Sequence, residues 1–251
     1  MSRYYELMQQ MEREQPLPAN PTIESRLSVP RESANRSPLR QVTSDLTLGL
    51  VQRIFLEPLE QTQQFPRVVV FAGIDHGSGC SQIAASVAHT LAANAPAAVC
   101  LVEANFRSPA LSRMLGTTNN HGLTDALVEQ DSIHSFTKRV RNQSLWLLSS
   151  GPIAADSQKL LTSDRMRARF AELRNEFDFV IVDAPPMTRY ADAIALGKLC
   201  DGVVVVLEAG STHRNAARNA VQTLGSSRVQ ILGAVLNKRT FPIPESIYSR
   251  I

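Results

Sequence analysis

The chain has 251 residues, of which 43% are hydrophobic and 20% charged, with a formal net charge of +3. That is enough for one sizeable core plus a tail, and so mild a charge balance lacks the concentrated basic stripe of a nucleic-acid binder. The three cysteines, Cys80, Cys100 and Cys200, have no metal-ligand spacing, and their odd number argues against a disulfide framework and for a reducing cytoplasm. No apolar run approaches the roughly 18–20 residues that cross a bilayer, and Met1–Gln15 carries no signal-peptide core. Any recruitment to the inner membrane face is therefore expected to run through a partner.

In chain order, Tyr4, Leu7, Met8 and Met11 fall on one face of a short helix over 1–14. Residues 15–38, rich in Pro, Ser, Asn and Arg, read as a flexible linker. Leu46, Leu48, Leu50, Val51, Ile54 and Phe55 then mark a helix over 44–59, capped by Ser44 or Asp45, stopped by Pro58 and docked on the main domain. From Arg67 short apolar strands alternate with helices. The strands are expected at 68–72, 98–102, 145–149, 179–182, 203–207 and 229–236, and the helices at 81–94, 164–176, 191–199 and 213–224. Strands apolar throughout are buried on both faces. The expected fold is therefore α/β and P-loop NTPase-like: a mostly parallel twisted sheet with helices on both faces. The division is a partly disordered extension over 1–41 and one domain over 42–251. Ligands of such sheets sit beyond the C-terminal ends of the strands.

The first strand runs into Gly73-Ile74-Asp75-His76-Gly77-Ser78-Gly79-Cys80-Ser81-Gln82 and then a helix. We read this against the phosphate loop G-x-x-x-x-G-K-[ST], with Gly73 and Gly79 as its glycines and Ser81 as the metal-binding hydroxyl. Gly77, Ser78, Gly79, Cys80, Ser81 and Gln82 are the nucleotide-binding candidates, because glycine lets backbone N–H groups converge on an anion at a helix N-terminus. Cys80 stands where the lysine belongs. Losing a charge-assisted bond of about 1.5–3 kcal/mol should weaken triphosphate binding roughly tenfold to hundredfold. A helix-terminal thiol is also prone to a lowered pKa, and a thiolate would repel phosphate. A tight structural turn is the plain alternative for the loop, and simple space-filling the plain alternative to a redox role for Cys80.

Three more segments follow in order: Val102-Glu103-Ala104-Asn105-Phe106-Arg107-Ser108-Pro109; Phe177-Asp178-Phe179-Val180-Ile181-Val182-Asp183-Ala184-Pro185-Pro186 with Asp192; and Gly233-Ala234-Val235-Leu236-Asn237-Lys238. With the loop, residues 65–239 resemble the cytoplasmic domain of the bacterial tyrosine kinases of capsule and exopolysaccharide synthesis, within the deviant-Walker P-loop ATPases. The resemblance implies ATP or ADP and Mg2+ as cofactors. It assigns catalytic roles to Glu103 and Asp183, nucleotide contacts to Arg107 and Asn237, and metal binding to Ser81, Asp183 and Asp192. It also implies a membrane polysaccharide co-polymerase or chain-length protein as partner, and a homo-oligomer.

The departures decide the functional reading. The loop lysine is absent, and Asn105 stands where the family has a second acid. Among the family's oligomerisation-helix residues only Arg53 matches, within 45–57. Tyr248 is the only tyrosine after Tyr190, so 241–251 reads as a docking peptide and not as a tyrosine cluster. A pseudo-kinase with weak or absent nucleotide binding is expected first. An unorthodox ATP-dependent autokinase, its missing charge supplied by Lys138, Lys159, Lys198 or a neighbour's arginine, comes second. A deviant-Walker positioning ATPase, lacking the signature lysine at Asp75, His76 or Ser78, comes third.

Overall fold

The computed structural model describes residues 44–59, 63–140, 144–152 and 160–239. The expected helix at 1–14, the linker and the docking tail lie outside these residues. The elements in chain order are α1 (Ser44–Phe55), β1 (Val68–Gly73), α2 (Cys80–Asn94), β2 (Val99–Glu103), α3 (Leu111–Leu115), α4 (Leu123–Ala126) and a 3-10 turn (Ile133–Phe136). There follow β3 (Lys138–Arg139), β4 (Leu145–Leu148), α5 (Asp164–Glu176), β5 (Phe179–Ala184), α6 (Asp192–Gly197), β6 (Gly202–Glu208), α7 (Arg214–Ser226) and β7 (Ile231–Asn237).

Seven strands form one sheet in the order β3-β4-β2-β5-β1-β6-β7. All neighbours pair in parallel except β3 on β4. The pleat sends alternate residues of each strand to opposite faces. Val68, Val70 and Ala72 join Phe170, Leu173, Leu196 and Leu224 on one side of the sheet. Val69 and Phe71 join Val51, Phe55, Ala84 and Ala88 on the other. The helix over 44–55 thus docks as expected: Phe55 is fully buried and meets Phe179 edge-on with ring centroids 5.5 Å apart.

Two features differ from the sequence reading. The two-residue strand β3 carries one lysine and one arginine and no apolar signal, and its place in the sheet comes from pairing with Leu147 and Trp146. In addition, β7 is not buried on both faces, and Leu236 is 56% exposed. β7 pairs with β6 alone, and α7 commits only Ala220 and Leu224 to the interior. The apolar character of β7 therefore does not signal burial.

The order places β1 between β5 and β6, with β2 beyond β5. The C-terminal ends of β1, β2 and β5 converge: Glu103 pairs with Asp183, and Phe71 pairs with Asp183 from the opposite side. This is the crevice edge at which α/β sheets bind ligands.

Candidate functional site

Counted back from Ser81, the first glycine of the phosphate-loop consensus falls on Ile74. Gly73 lies one residue too early and ends β1. Its lack of a side chain serves close packing instead, because a Cβ there would collide with the Ser78 hydroxyl. Gly77 and Gly79 have φ of 87° and 82°, a left-handed backbone that glycine adopts without a Cβ clash. Gly79 leads into α2 with no side-chain cap on the helix, which leaves the start of α2 as an anion-receiving terminus. The loop lines an open cleft of about 370 Å³ together with Asn105, Ser108, Met114 and Pro186. No lysine or arginine is among the described residues lining it.

At the base of the cleft Ser81 donates its hydroxyl to Asp183 Oδ2 at 2.6 Å. Asp183 is 1% exposed, and its Oδ1 is buried with no partner among the described residues. Burial raises its pKa from 3.8 to about 7; the charge of Glu103 adds to the rise, while hydrogen bonds from Ser81 and Cys80 oppose it. The Cys80 thiol moves in the direction opposite to the sequence expectation. Burial first, then the charge of Asp183 and the hydrogen bond to it, push the thiol well above its ordinary 9.0. A helix terminus lowers a thiol pKa only where no stronger local effect opposes it. A buried thiol held so far up carries neither the lysine's positive charge nor a thiolate's negative one.

The other candidates stand apart from this pair. Glu103 is fully buried, and its Oε1 accepts from the N–H groups of Ala110 and Leu111, each at 2.6 Å. Its Oε2 accepts from Ser150 N–H at 3.2 Å. Both oxygens thus pin the chain after β2 and the turn after β4. Arg107 stacks over the Tyr190 ring at 4.0 Å and faces Asp192 Oδ2 at 3.7 Å. Asp192 is 4% exposed; burial raises its pKa and Arg107 opposes the rise. Asn105 accepts from Ser108 N–H at 3.2 Å through its side-chain oxygen. Glu103, Arg107, Asp183, Asp192 and Asn237 are not among the residues lining the cleft, whereas Gly77, Ser78, Gly79, Cys80, Ser81 and Gln82 are; Asp183 reaches it through the lining residue Ser81.

Magnesium takes oxygen donors and keeps several waters. The Ser81 hydroxyl and the unpartnered Asp183 Oδ1 fit such an ion; Asp192, the third expected ligand, faces Arg107 at 3.7 Å. A separate group of metal-capable side chains, His121, Asp125 and Glu129, lies outside the cleft lining. There Asp125 caps Gly122 N–H at 2.8 Å.

Sequence reasoning missed Lys238. Its ammonium donates to Gly77 O at 2.6 Å and pairs with Glu208 at 3.0 Å. Asn237 beside it donates to Ser78 O at 2.9 Å. The available signal was a lysine directly after the asparagine that ends the last strand. Of the lysines weighed as replacements for the missing one, Lys138 is bound to Thr118 and Lys159 lies outside the described residues.

Comparison with known proteins now places this geometry. The ParA family model, described as NUBPL iron-transfer P-loop NTPase, matches residues 66–249. The tyrosine-protein kinase YwqD of Bacillus subtilis is 33% identical over 161 residues, 64% of this chain and 68% of that protein. The chain belongs to the ParA-type P-loop NTPases, among the bacterial tyrosine-protein kinases. The tyrosine-protein kinase CpsD of Streptococcus agalactiae is 27% identical over 173 residues, 68% of this chain and 75% of that one. The succinoglycan biosynthesis transport protein ExoP of Rhizobium meliloti is 31% identical over 175 residues, which are 68% of this chain and 22% of ExoP. In fold, the chimerical protein CapA2B2 superposes with a TM-score of 0.74 at 24% identity, covering 81% of this chain and 88% of that one. The VpsO kinase domain gives 0.72 at 24% identity, covering 80% and 97%. A MinD septum site-determining protein complexed with Mg-ADP gives 0.59 at 16% identity, covering 73% and 76%.

Proposed function

We propose that this protein is a pseudo-kinase of capsule or exopolysaccharide biosynthesis, which regulates or scaffolds a membrane chain-length or export partner. The observation that carries this reading is Cys80 at the lysine position, in a cleft whose described lining residues include no lysine or arginine. In the transition state of phosphoryl transfer, charge is spread over the transferred phosphoryl oxygens and must be met by fixed cations. Among the described lining residues no lysine or arginine is there to meet them, and the remaining charged candidates hold other contacts. Glu103 binds backbone N–H groups, and Arg107 and Asp192 bind each other. The partner is inferred from ExoP, where the matching stretch is a fifth of a biosynthesis transport protein. No helix among the described residues is long and apolar enough to cross a membrane.

The test is calorimetric titration of the full chain with Mg-ADP and Mg-ATP, beside Cys80→Lys. The expected result is no heat from the native chain and restored binding in the variant. Tight binding by the native chain would overturn the silent site.

A working ATP enzyme is the second reading, and one observation favours it. Ser81 and the unpartnered Asp183 Oδ1 form the start of a magnesium site. When bound, the ion would neutralise charge on the outer phosphates. This reading expects ATP turnover that disappears in Asp183→Ala, and turnover equal in the two proteins would end it.

A further inference from the structure

The phosphate loop has lost the lysine that would reach across its interior, yet it keeps an anion-receiving shape. The contacts that hold it come from outside, at the end of β7. The two peptide units after Gly77 and Ser78 each turn their carbonyl toward β7, where Lys238 Nζ takes one at 2.6 Å and Asn237 Nδ2 the other at 2.9 Å. In a trans peptide the N–H points opposite the C=O. A carbonyl held outward therefore fixes the next N–H on the other side of the peptide plane; that of Ser78 donates to Asp75 O at 3.4 Å within the loop, which leaves that of Gly79 to face an anion.

Three further observations show that the contact is built in. A Cβ on Gly79 would collide with Asn237 Nδ2, so the close approach requires glycine at that position. Glu208, at the end of β6, pairs with Lys238 at 3.0 Å and sets the direction of its side chain. Lys238 itself has φ of 56°, in a left-handed region uncommon outside glycine, which surrounding contacts must sustain.

We infer that Asn237 and Lys238 are positioning residues, an external clasp that holds the peptide units of the phosphate loop so that the Gly79 N–H stays turned toward an anion in place of the missing interior lysine. The inference rests on the reading of the loop as a nucleotide site, but it concerns the shape of the loop and not its charge. Lys238 acts from the carbonyl side of the loop, so it does not replace the lost cation at the phosphates.

The first test needs no ligand. Hydrogen exchange of the full chain, read peptide by peptide, compares the native protein with Asn237→Ala, Lys238→Met and Lys238→Arg. Exchange over 76–80 should speed up about tenfold in the first two and stay near native in Lys238→Arg, which keeps a donor. Exchange over β1 and β5 should not move, and this separates loss of the clasp from general destabilisation. Native-like exchange over 76–80 in both Asn237→Ala and Lys238→Met would overturn the inference.

The second test uses Mg-ADP in the Cys80→Lys background, where adding Lys238→Met should weaken binding about tenfold and Lys238→Arg should restore it. Equal affinity with and without Lys238→Met would overturn the clasp and leave the silent-site reading standing. Tight ADP binding by the native chain would overturn the silent site and leave the loop-exchange result valid.

Discussion

Two carboxylates lie side by side where β2 and β5 pair, and their surroundings are opposite. Glu103, at the end of β2, accepts three backbone N–H groups with its two oxygens. Asp183, its register partner on β5, has one oxygen satisfied by Ser81 and the other buried with no partner among the described residues. The ridge after β2 is closed, with Glu103 on the backbone and Arg107 on Asp192 and Tyr190; Asn105, held on Ser108, stands where the ridge meets the cleft. The cleft after β1 is open; its lining residue Ser81 donates to Asp183 behind it, and no lysine or arginine is among its described lining residues. A buried polar group with all its partners specifies structure, whereas one left without them marks a place for a proton or a ligand. Motif position alone would have ranked these acids as equals.

The comparison breaks first at Glu103. Glu103→Ala should strand three backbone N–H groups at about 1–3 kcal/mol each, for a loss of about 5 kcal/mol in denaturant unfolding. A loss under about 1 kcal/mol would show that the ridge is not held by this carboxylate.

The next effect is a pH slope from Asp183. Its folded pKa of about 7 lies above the ordinary 3.8, so the folded state holds the proton more tightly than the unfolded one. The contribution to stability is then fully present below about pH 4 and falls away as pH rises through 7. About three units at 1.36 kcal/mol each set an upper bound near 4 kcal/mol. Asp183→Asn should flatten this fall, so the variant gains on the native chain between pH 4 and pH 8. Parallel stability curves for the two proteins would remove the open-acceptor description of the cleft.

A smaller effect is expected at Cys80. Restoring a lysine should strengthen Mg-ADP binding tenfold to hundredfold, about 1.4–2.8 kcal/mol. The same change in Glu103→Ala/Cys80→Lys as in Cys80→Lys alone would show that ridge and cleft act independently.

What could be read from the sequence follows from what is local. Runs such as Val68–Ala72 and Phe179–Val182 are apolar because both faces are covered, and strand, loop and helix appear in order around Gly77 and Gly79. The absence of lysine at Cys80 is a one-letter observation. Glu103 was legible as an acid in the right place, but its work is not, because Ala110, Leu111 and Ser150 reach it only in the fold. The direction of the Cys80 shift was hidden for the same reason, since it depends on Asp183, 103 residues further on. Lys238 ends the last segment of the resemblance but was given no role there, because only the fold brings its side chain onto the loop 161 residues before it. β7 misled because apolar residues on an edge strand look the same in sequence as buried ones.

The smallest effect tests whether Arg107 belongs to the ridge. Its guanidinium is 30% exposed, at 3.7 Å from an Asp192 side chain that is 4% exposed. Partial exposure screens the pair, so Arg107→Ala should cost only about 1 kcal/mol. The cost should also depend on pH. Burial already raises the pKa of Asp192 and Arg107 restrains the rise, so removing the arginine lets it climb further. At pH 5 the variant can respond by protonating Asp192, whereas at pH 8 it must hold a buried carboxylate without its cation. The destabilisation should therefore be larger at pH 8 than at pH 5. Arg107→Lys should recover only part of it, since an ammonium lacks the planar group that stacks over Tyr190. If Arg107→Ala instead left stability unchanged at both pH values and weakened Mg-ADP binding in the Cys80→Lys background, Arg107 would belong to the cleft. The open side would then hold a cation that the lining residues do not reveal, and the contrast between the two regions would fall.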